Sequence, residues 1–422
     1  MIMTRIFRAI LLVGLIFNAG CTSLESFLDS LITPTPVPPQ QSTSTPAATV
    51  TATLLPEQGT EDISLRVWLP AQFNPAAENI PAEMLALRLA EFETQHPRLT
   101  IEVRLKKAEA EGEILNALSV TSNAAPGALP DLILLSRSDL ESAALRGLLH
   151  PIEGLSTSLE DPNWYSYAQQ LARLQNTGYG LPFVGNALVL VYYPELGTLV
   201  TWEDVFKSEG QLVFPAANPQ GLIGLSLYAS AGGEIVDDQG LPMLDQEVLT
   251  GVLTLIAEGR AKDIFPASLA NVSNEIQTLQ IYRTGNANKG IIWFLNYQPS
   301  SDGTVIPLPG LDELPFAYAS GWVWALAGSD PENQQLAAEL AEFLVEDDFI
   351  GDWTRATGYL PTRPSLVEEE DRTMTAILES AHPIPSSNVL NVLGPLMQDA
   401  LIRVLSGEPP EEVAARVVEA LK

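Results

Sequence analysis

From residue 62 onward, short apolar runs alternate with longer amphipathic segments. Residues 63–69 (ISLRVWL) predict a first strand, and apolar positions three to four residues apart predict a helix over 82–95. His96-Pro97 is expected to end this helix, because the residue before a proline avoids helical backbone angles. Apolar and polar residues then alternate over 99–105, which predicts a second strand.

The same order continues with a predicted helix around residues 113–120 and an apolar strand, LILL, at 132–135. Residues 138–141 (SDLE) match a capping box, so Ser138 is the expected N-cap of the next helix. Because short apolar strands alternate with helices, we predict an α/β fold in which a mostly parallel sheet is flanked by helices. Ligands of such sheets bind outside the carboxyl ends of the strands, here Trp68 and residues 136–138.

A second α/β pattern covers residues 187–288. Asp330 as N-cap and Pro331 at the first helical position predict a helix over 331–346, and residues 395–422 predict further amphipathic helices. Since 422 residues exceed one ordinary domain, the pattern favours a chain with two lobes.

The first 61 residues differ from this body. Residues 1–20 combine two arginines, a short apolar core and small residues before Cys21, which is typical of a cleaved export signal. The segment resembles a bacterial lipoprotein signal, which implies that Cys21 is acylated and becomes the new N-terminus. Residues 21–61 are rich in Thr and Pro and predict an extended linker that tethers the body to the outer face of the cell membrane.

Composition narrows the possible functions. The net charge is −30, from 22 basic and 52 acidic side chains, which excludes nucleic acid as an expected partner. One Cys and three His provide neither an internal disulfide nor a structural zinc site, so no metal and no cofactor is expected. The sequence contains no GxSxG, HExxH or Walker A string, and we predict no catalytic residues and no enzymatic activity.

Several segments occur together in one order: LAEFETQHPRLTIEVRL, PDLILLSRSDLESAALRGLLHPI, YGLPFVGNALVLVYY followed by TWEDV, GWVWALAGSDPENQQLAAELAEFLVED and TRATGYLPTRPSL. The set resembles the family 1 extracellular solute-binding proteins of bacterial ABC importers, which include maltose- and glycerol-phosphate-binding proteins. The resemblance implies a periplasmic-binding-protein-like fold of two α/β lobes joined by crossing strands. On that pattern lobe 1 covers residues 62–186 and 290–322, and lobe 2 covers 187–289 and 323–422.

The resemblance also implies a mechanism, in which a monomer closes its lobes around a solute and presents it to a membrane permease. The tryptophans of the crossing segments favour a carbohydrate. Binders of peptides, polyamines or metals share the fold and remain alternatives, as does a sensory or adhesive lipoprotein. A glycan-active enzyme is a more distant alternative.

Candidate ligand-binding residues follow from the strand ends and from the resemblance. Trp68 could stack on a sugar ring or belong to the core, and Ser136 lies on the expected ligand loop. Arg137, on the same loop, could hold a hydroxyl or a carboxylate. Asn186 lies at the first crossing, where the resemblance implies a polar contact to the ligand.

At the second crossing, residues 293–297 supply Trp293, Asn296 and Tyr297, and alternation along a strand predicts that one of the two aromatic rings faces the cleft. At the third crossing, Trp322 is the expected cleft residue and Trp324 the expected core residue. The remaining candidates lie in the second half of the chain: Tyr228, Gly232, Tyr359 and Arg363.

Overall fold

The computed structural model of the chain describes residues 62–107, 112–311 and 314–422. The predicted export signal, the Cys21 lipidation site and the Thr/Pro-rich linker lie outside the described residues.

Eleven strands are present in the described ranges. They are β1 (Ile63–Pro70), β2 (Leu99–Lys106), β3 (Leu132–Ser136), β4 (Arg173–Leu174), β5 (Thr177–Gly178), β6 (Gly180–Tyr192), β7 (Leu212–Val213), β8 (Lys289–Trp293), β9 (Thr304–Pro307), β10 (Ala317–Leu326) and β11 (Ala381–Pro383).

The same ranges contain thirteen α-helices. They are α1 (Ile80–Gln95), α2 (Glu113–Ala124), α3 (Arg137–Leu145), α4 (Ser166–Leu171), α5 (Trp202–Lys207), α6 (Leu222–Ser230), α7 (Gln246–Ala261), α8 (Glu275–Arg283), α9 (Pro331–Phe343), α10 (Asp347–Thr357), α11 (Arg372–Glu379), α12 (Ser387–Leu405) and α13 (Pro410–Ala420).

The long strand β6 belongs to two sheet regions. Residues 180–187 pair with β10 in a first sheet of order β2-β1-β3-β10-β6, and residues 188–192 pair with β8 in a second sheet that continues to β7. Pairing is parallel for β1–β2, β1–β3 and β7–β8, and antiparallel where β10 and β6 cross. The predicted α/β class and two-lobed plan are confirmed.

Local signals account for the helix boundaries. Asn79 caps α1, accepting a hydrogen bond from the Ala82 N–H at 3.0 Å, so the helix begins two residues before the predicted range. Asp330 caps α9 as predicted, with Pro331 at its first position. The capping prediction at α3 is wrong by two residues, because Ser136 rather than Ser138 accepts the Asp139 N–H.

Helix packing places the lobe boundaries elsewhere than predicted. Because β10 lies between β3 and β6, the chain stays on the first sheet after residue 322, and α9 then packs on β1 and β3 while α10 packs on α1. Strand β8 instead belongs to the second sheet, where α12 and α13 cover α7. The predicted division placed residues 290–322 in lobe 1 and 323–422 in lobe 2.

The core explains why the sheets hold their register. Residues 132–135 of β3 are fully buried, as expected for an interior strand covered on both faces.

No helix in the described ranges has the length and apolarity needed to cross a membrane.

Candidate functional site

The carboxyl ends of the strands mark a cleft between the two sheets. In the first sheet β1 ends at Pro70 and β3 at Ser136, and in the second sheet β7 ends at Val213 and β8 at Trp293. The segments that follow these four ends line two cavities, each with walls from both sheets.

The larger cavity, called here the aromatic cavity, has a volume of about 360 Å³. Its walls come from the turn after β1, the start of α1, the end of α10 and the turn after β8. The lining residues are Gln72, Phe73, Asn74, Asn79, Pro81, Ala82, Leu85, Leu295, Trp353, Ala356, Thr357 and Tyr359. None of them is ionised at neutral pH, so the cavity offers rings, methyl groups, amides and hydroxyls only.

A set of aromatic contacts fixes the floor of the aromatic cavity. The ring of Phe73 meets Trp322 edge to face at 5.0 Å and stacks with Tyr359 at 6.0 Å. The Trp322 indole N–H donates a hydrogen bond to the Tyr359 hydroxyl. Burial raises the pKa of Tyr359 to about 12, which keeps its hydroxyl protonated at neutral pH.

Leu295 reaches the aromatic cavity because polar groups hold the turn after β8. The Asn186 Oδ1 accepts the Leu295 N–H at 3.0 Å, and the Glu275 carboxylate accepts the Trp293 N–H. The Asn296 side chain also hydrogen-bonds Glu275, and burial raises the pKa of that carboxyl. Asn186 on the crossing strand therefore positions a cavity residue.

The smaller cavity, called here the arginine cavity, has a volume of about 170 Å³. Its lining residues are Arg137, Ser138, Glu141, Pro219, Gln220, Ile384, Pro385, Ser387, Leu390, Asn391 and Pro395. They come from α3 on the first sheet, from the segment after β7, and from the start of α12. Unlike the aromatic cavity, this one contains charged side chains.

Trp322 lines neither cavity but contacts segments that form both. Trp322 pairs with Ser136 across β10 and β3, directly before Arg137, and its ring contacts Phe73 in the aromatic cavity. Both cavities thus lie along one edge of the first sheet. Among the described residues, no group of three or more His, Cys, Asp or Glu side chains is arranged to hold a metal ion.

Some predicted site residues lie in the core instead. Trp68 is 1% exposed and Tyr228 is fully buried, since both sit on elements covered on all sides. The Tyr228 hydroxyl accepts the Asp245 N–H at 2.6 Å, which is a structural bond. Trp324 is buried and Trp322 half-buried. Residues two apart share a face in a regular strand, and a register shift in the β10–β6 pairing lies between Trp322 and Val323.

Other candidates have structural partners. The Arg363 guanidinium lies 3.8 Å from the Trp164 ring and forms ion pairs with Asp161 and Asp347, both at 3.4 Å. The Tyr297 hydroxyl donates to the Gly303 carbonyl at 2.8 Å. Gly232 lines a separate cavity near Phe316. Neither cavity of the cleft has any of these three predicted residues in its lining.

Sequence reasoning missed several lining residues. Gln72, Phe73 and Asn74 directly follow the strand end that was predicted as a ligand position, so continuing that rule by four residues would have found them. Leu295 was missed because the backbone leaves the strand at Trp293 and forms a 3-10 turn, in which strand alternation no longer applies.

Comparison with protein families gives one match to this chain. The family model described as bacterial extracellular solute-binding protein matches residues 88–379. No curated protein sequence matches the chain.

Solved structures show the same fold at low identity. Maltose-bound MalE3 of T. maritima has a TM-score of 0.64 and 19% identity, covering 85% of this chain and 99% of that one. A cyclo/maltodextrin-binding protein complexed with maltotetraose gives 0.69 and 19%, covering 86% and 97%. The maltose-binding periplasmic protein MalE from Listeria monocytogenes, in complex with maltose, gives 0.68 and 17%, covering 85% and 97%.

Proposed function

The chain belongs to the family of bacterial extracellular solute-binding proteins, and on that premise we propose that it captures a carbohydrate in the cleft between its sheets and delivers it to the permease of an ABC importer. The solute leaves chemically unaltered, because the proposed role is binding and not catalysis.

The lining of the aromatic cavity is the observation that carries the proposal. Carbohydrates present apolar C–H faces that pack on aromatic rings, and hydroxyl edges that need hydrogen-bond partners. Phe73, Trp353 and Tyr359 supply rings, while Gln72 and Asn74 supply amides. The volume of about 360 Å³ lies within the usual range for small-molecule sites. Three proteins of the same fold were solved with maltose or maltotetraose, which supports this ligand class.

Capture works by closure in this proposal. Residues after β1 bind one side of the ligand, and Leu295 after β8 binds the other. A contact that forms only in the closed state makes the ligand bind that state more tightly than the open one. This difference in affinity shifts the population toward the closed state. Strand β6, which pairs with β10 in the first sheet and with β8 in the second, is the proposed hinge.

The proposed setting is the outer face of the bacterial cell membrane. Acylation of Cys21 would anchor the chain, and residues 21–61 would serve as the tether. We propose a monomer that meets the permease through the solute-bound state and has no enzymatic activity.

A thermal-shift screen of the purified chain against mono- and oligosaccharides, polyols, peptides and divalent metals tests the ligand class. A ligand that binds only the folded chain raises the melting temperature by mass action. We expect saccharides to give the shift and Gln72→Ala to reduce it, since this exposed side chain lines the aromatic cavity without supporting the fold.

Gln246→Ala is the matched control, because this exposed glutamine begins α7, outside the aromatic cavity. A rise in melting temperature with peptides or metals, but with none of the saccharides, would overturn the proposed ligand class.

A further inference from the structure

The arginine cavity contains a guanidinium that has two buried nitrogen atoms without a hydrogen-bond partner. The Nε and Nη1 atoms of Arg137 are buried and form no hydrogen bond within the described part of the chain. No described carboxylate forms an ion pair with this guanidinium, although ion pairs involve most of the other described arginines. A buried charge without hydrogen bonds or a partner is costly, so the position requires an explanation.

The neighbouring acid is engaged elsewhere. Glu141 lies one turn along α3 and is 5% exposed, and its Oε2 accepts the Ser387 N–H at 3.3 Å, across the cavity. That bond holds the Glu141 carboxylate at the start of α12. Burial lowers the pKa of Arg137, while the charge of Glu141 acts in the opposite direction.

We propose that the solute is an acidic saccharide, a sugar bearing a carboxylate, and that the Arg137 guanidinium binds this carboxylate. The inference rests on the proposed function, because it assigns a ligand class to the same cleft. Guanidinium and carboxylate match in planar geometry and charge, and a bidentate pair would satisfy the donors that the protein leaves free.

The surroundings favour a single negative charge over a double one. One guanidinium balances one carboxylate, and the nearby Glu141 carboxylate would repel a dianionic phosphate ester more strongly than a monoanion. Gln220 and Asn391 supply neutral amides for ring hydroxyls beside the acid.

The volume of the arginine cavity fits a site that binds only the acidic end of the solute. A volume of about 170 Å³ is below that of a complete ligand pocket, so the arginine cavity holds one end of a solute and not all of it. The aromatic cavity, without any charged lining residue, suits the uncharged part of a saccharide.

The test is a calorimetric titration of the full chain with three matched ligands: a neutral oligosaccharide, the same oligosaccharide ending in a uronate, and its phosphate ester. For the wild-type chain we expect the uronate to bind at least about tenfold more tightly than the neutral sugar, since a hydrogen bond to a charged group contributes on that order. The preference should shrink as salt increases.

Two variants and a control separate charge from folding. Arg137→Gln should remove the preference for the uronate over the neutral sugar, and Arg137→Lys should keep only part of that preference because lysine lacks the planar fork. Arg416→Gln removes the same charge from the exposed helix α13 and should leave the preference intact. Melting temperatures without ligand verify that each variant is folded.

Neutral and uronate sugars that bind equally, or an Arg137→Gln variant that keeps the preference, would overturn this inference while leaving carbohydrate capture in place. Tighter binding of the phosphate ester than of the uronate would also overturn it. Binding of none of the three sugars would contradict the proposed function itself.

Discussion

Removing one hydroxyl, in Tyr359→Phe, tests whether the aromatic cavity is a binding site or only a gap in the core. The substitution keeps the ring, and with it the stacking on Phe73 at 6.0 Å and on Trp353 at 6.1 Å. It removes the acceptor for the Trp322 indole N–H and a hydroxyl that lines the cavity.

The structure sets the expected size of both effects. Leaving the half-buried Trp322 donor without its partner should lower the free energy of unfolding by about 1 kcal/mol. Loss of one neutral hydrogen bond to a saccharide should weaken its binding about two- to tenfold. Urea unfolding followed by tryptophan fluorescence measures the first effect, and calorimetric titration with a saccharide hit measures the second.

Tyr193→Phe is the control with the same chemistry. Its hydroxyl donates to the Tyr282 carbonyl at 2.9 Å, and it lines neither cavity of the cleft. Its stability should fall by a similar amount while ligand affinity stays unchanged. Equal affinities for Tyr359→Phe and the wild-type chain would refute the assignment of Tyr359, and equal weakening by both variants would show an effect on folding alone.

Three further predictions concern the scaffold. Gly180→Ala places a Cβ 1.9 Å from the Trp324 carbonyl oxygen of the paired strand, so the unfolding free energy in urea should drop by roughly 1–3 kcal/mol; an unchanged midpoint would contradict this approach of the strands. Ser136→Ala should destabilise the chain by about 1 kcal/mol and Ser138→Ala by less, because only Ser136 accepts the helix N–H; the reverse order in urea unfolding would show that the cap is misassigned. Burial lowers the pKa of Lys289 to about 8 from 10.5, so the unfolded chain binds more protons between these values and stability should rise by about 1–2 kcal/mol from pH 8 to about 9.5. Urea titrations at both pH values should show this rise in the wild-type chain and a smaller one in Lys289→Met, and equal rises would exclude Lys289 as the cause.

Elements with strong local signals were predictable from the sequence. Asp330 and Pro331 fix the start of α9 through capping and a preset backbone angle, both of which depend only on neighbouring residues. At the start of α3 the local pattern fits two caps, because Ser136 and Ser138 each precede an acidic residue by three positions. The end of β3 at Ser136 decides between them, and that end depends on pairing with β10.

The site was harder to predict, because its walls come from distant parts of the chain. Trp68 precedes a strand end but is buried, since β1 lies between β2 and β3 and both of its faces are covered. Arg137 was a candidate from its position on a loop. Its surroundings include the bond between Glu141 and the Ser387 N–H, 246 residues away in sequence, and no local pattern contains that information.

Small-angle X-ray scattering of the full chain, without and with a saturating saccharide, tests closure around a solute most directly. The account predicts a smaller radius of gyration in the saturated sample, reversed when the sugar is dialysed away and recovered intact. An identical scattering curve at proven saturation, or a chemically altered sugar, would contradict it.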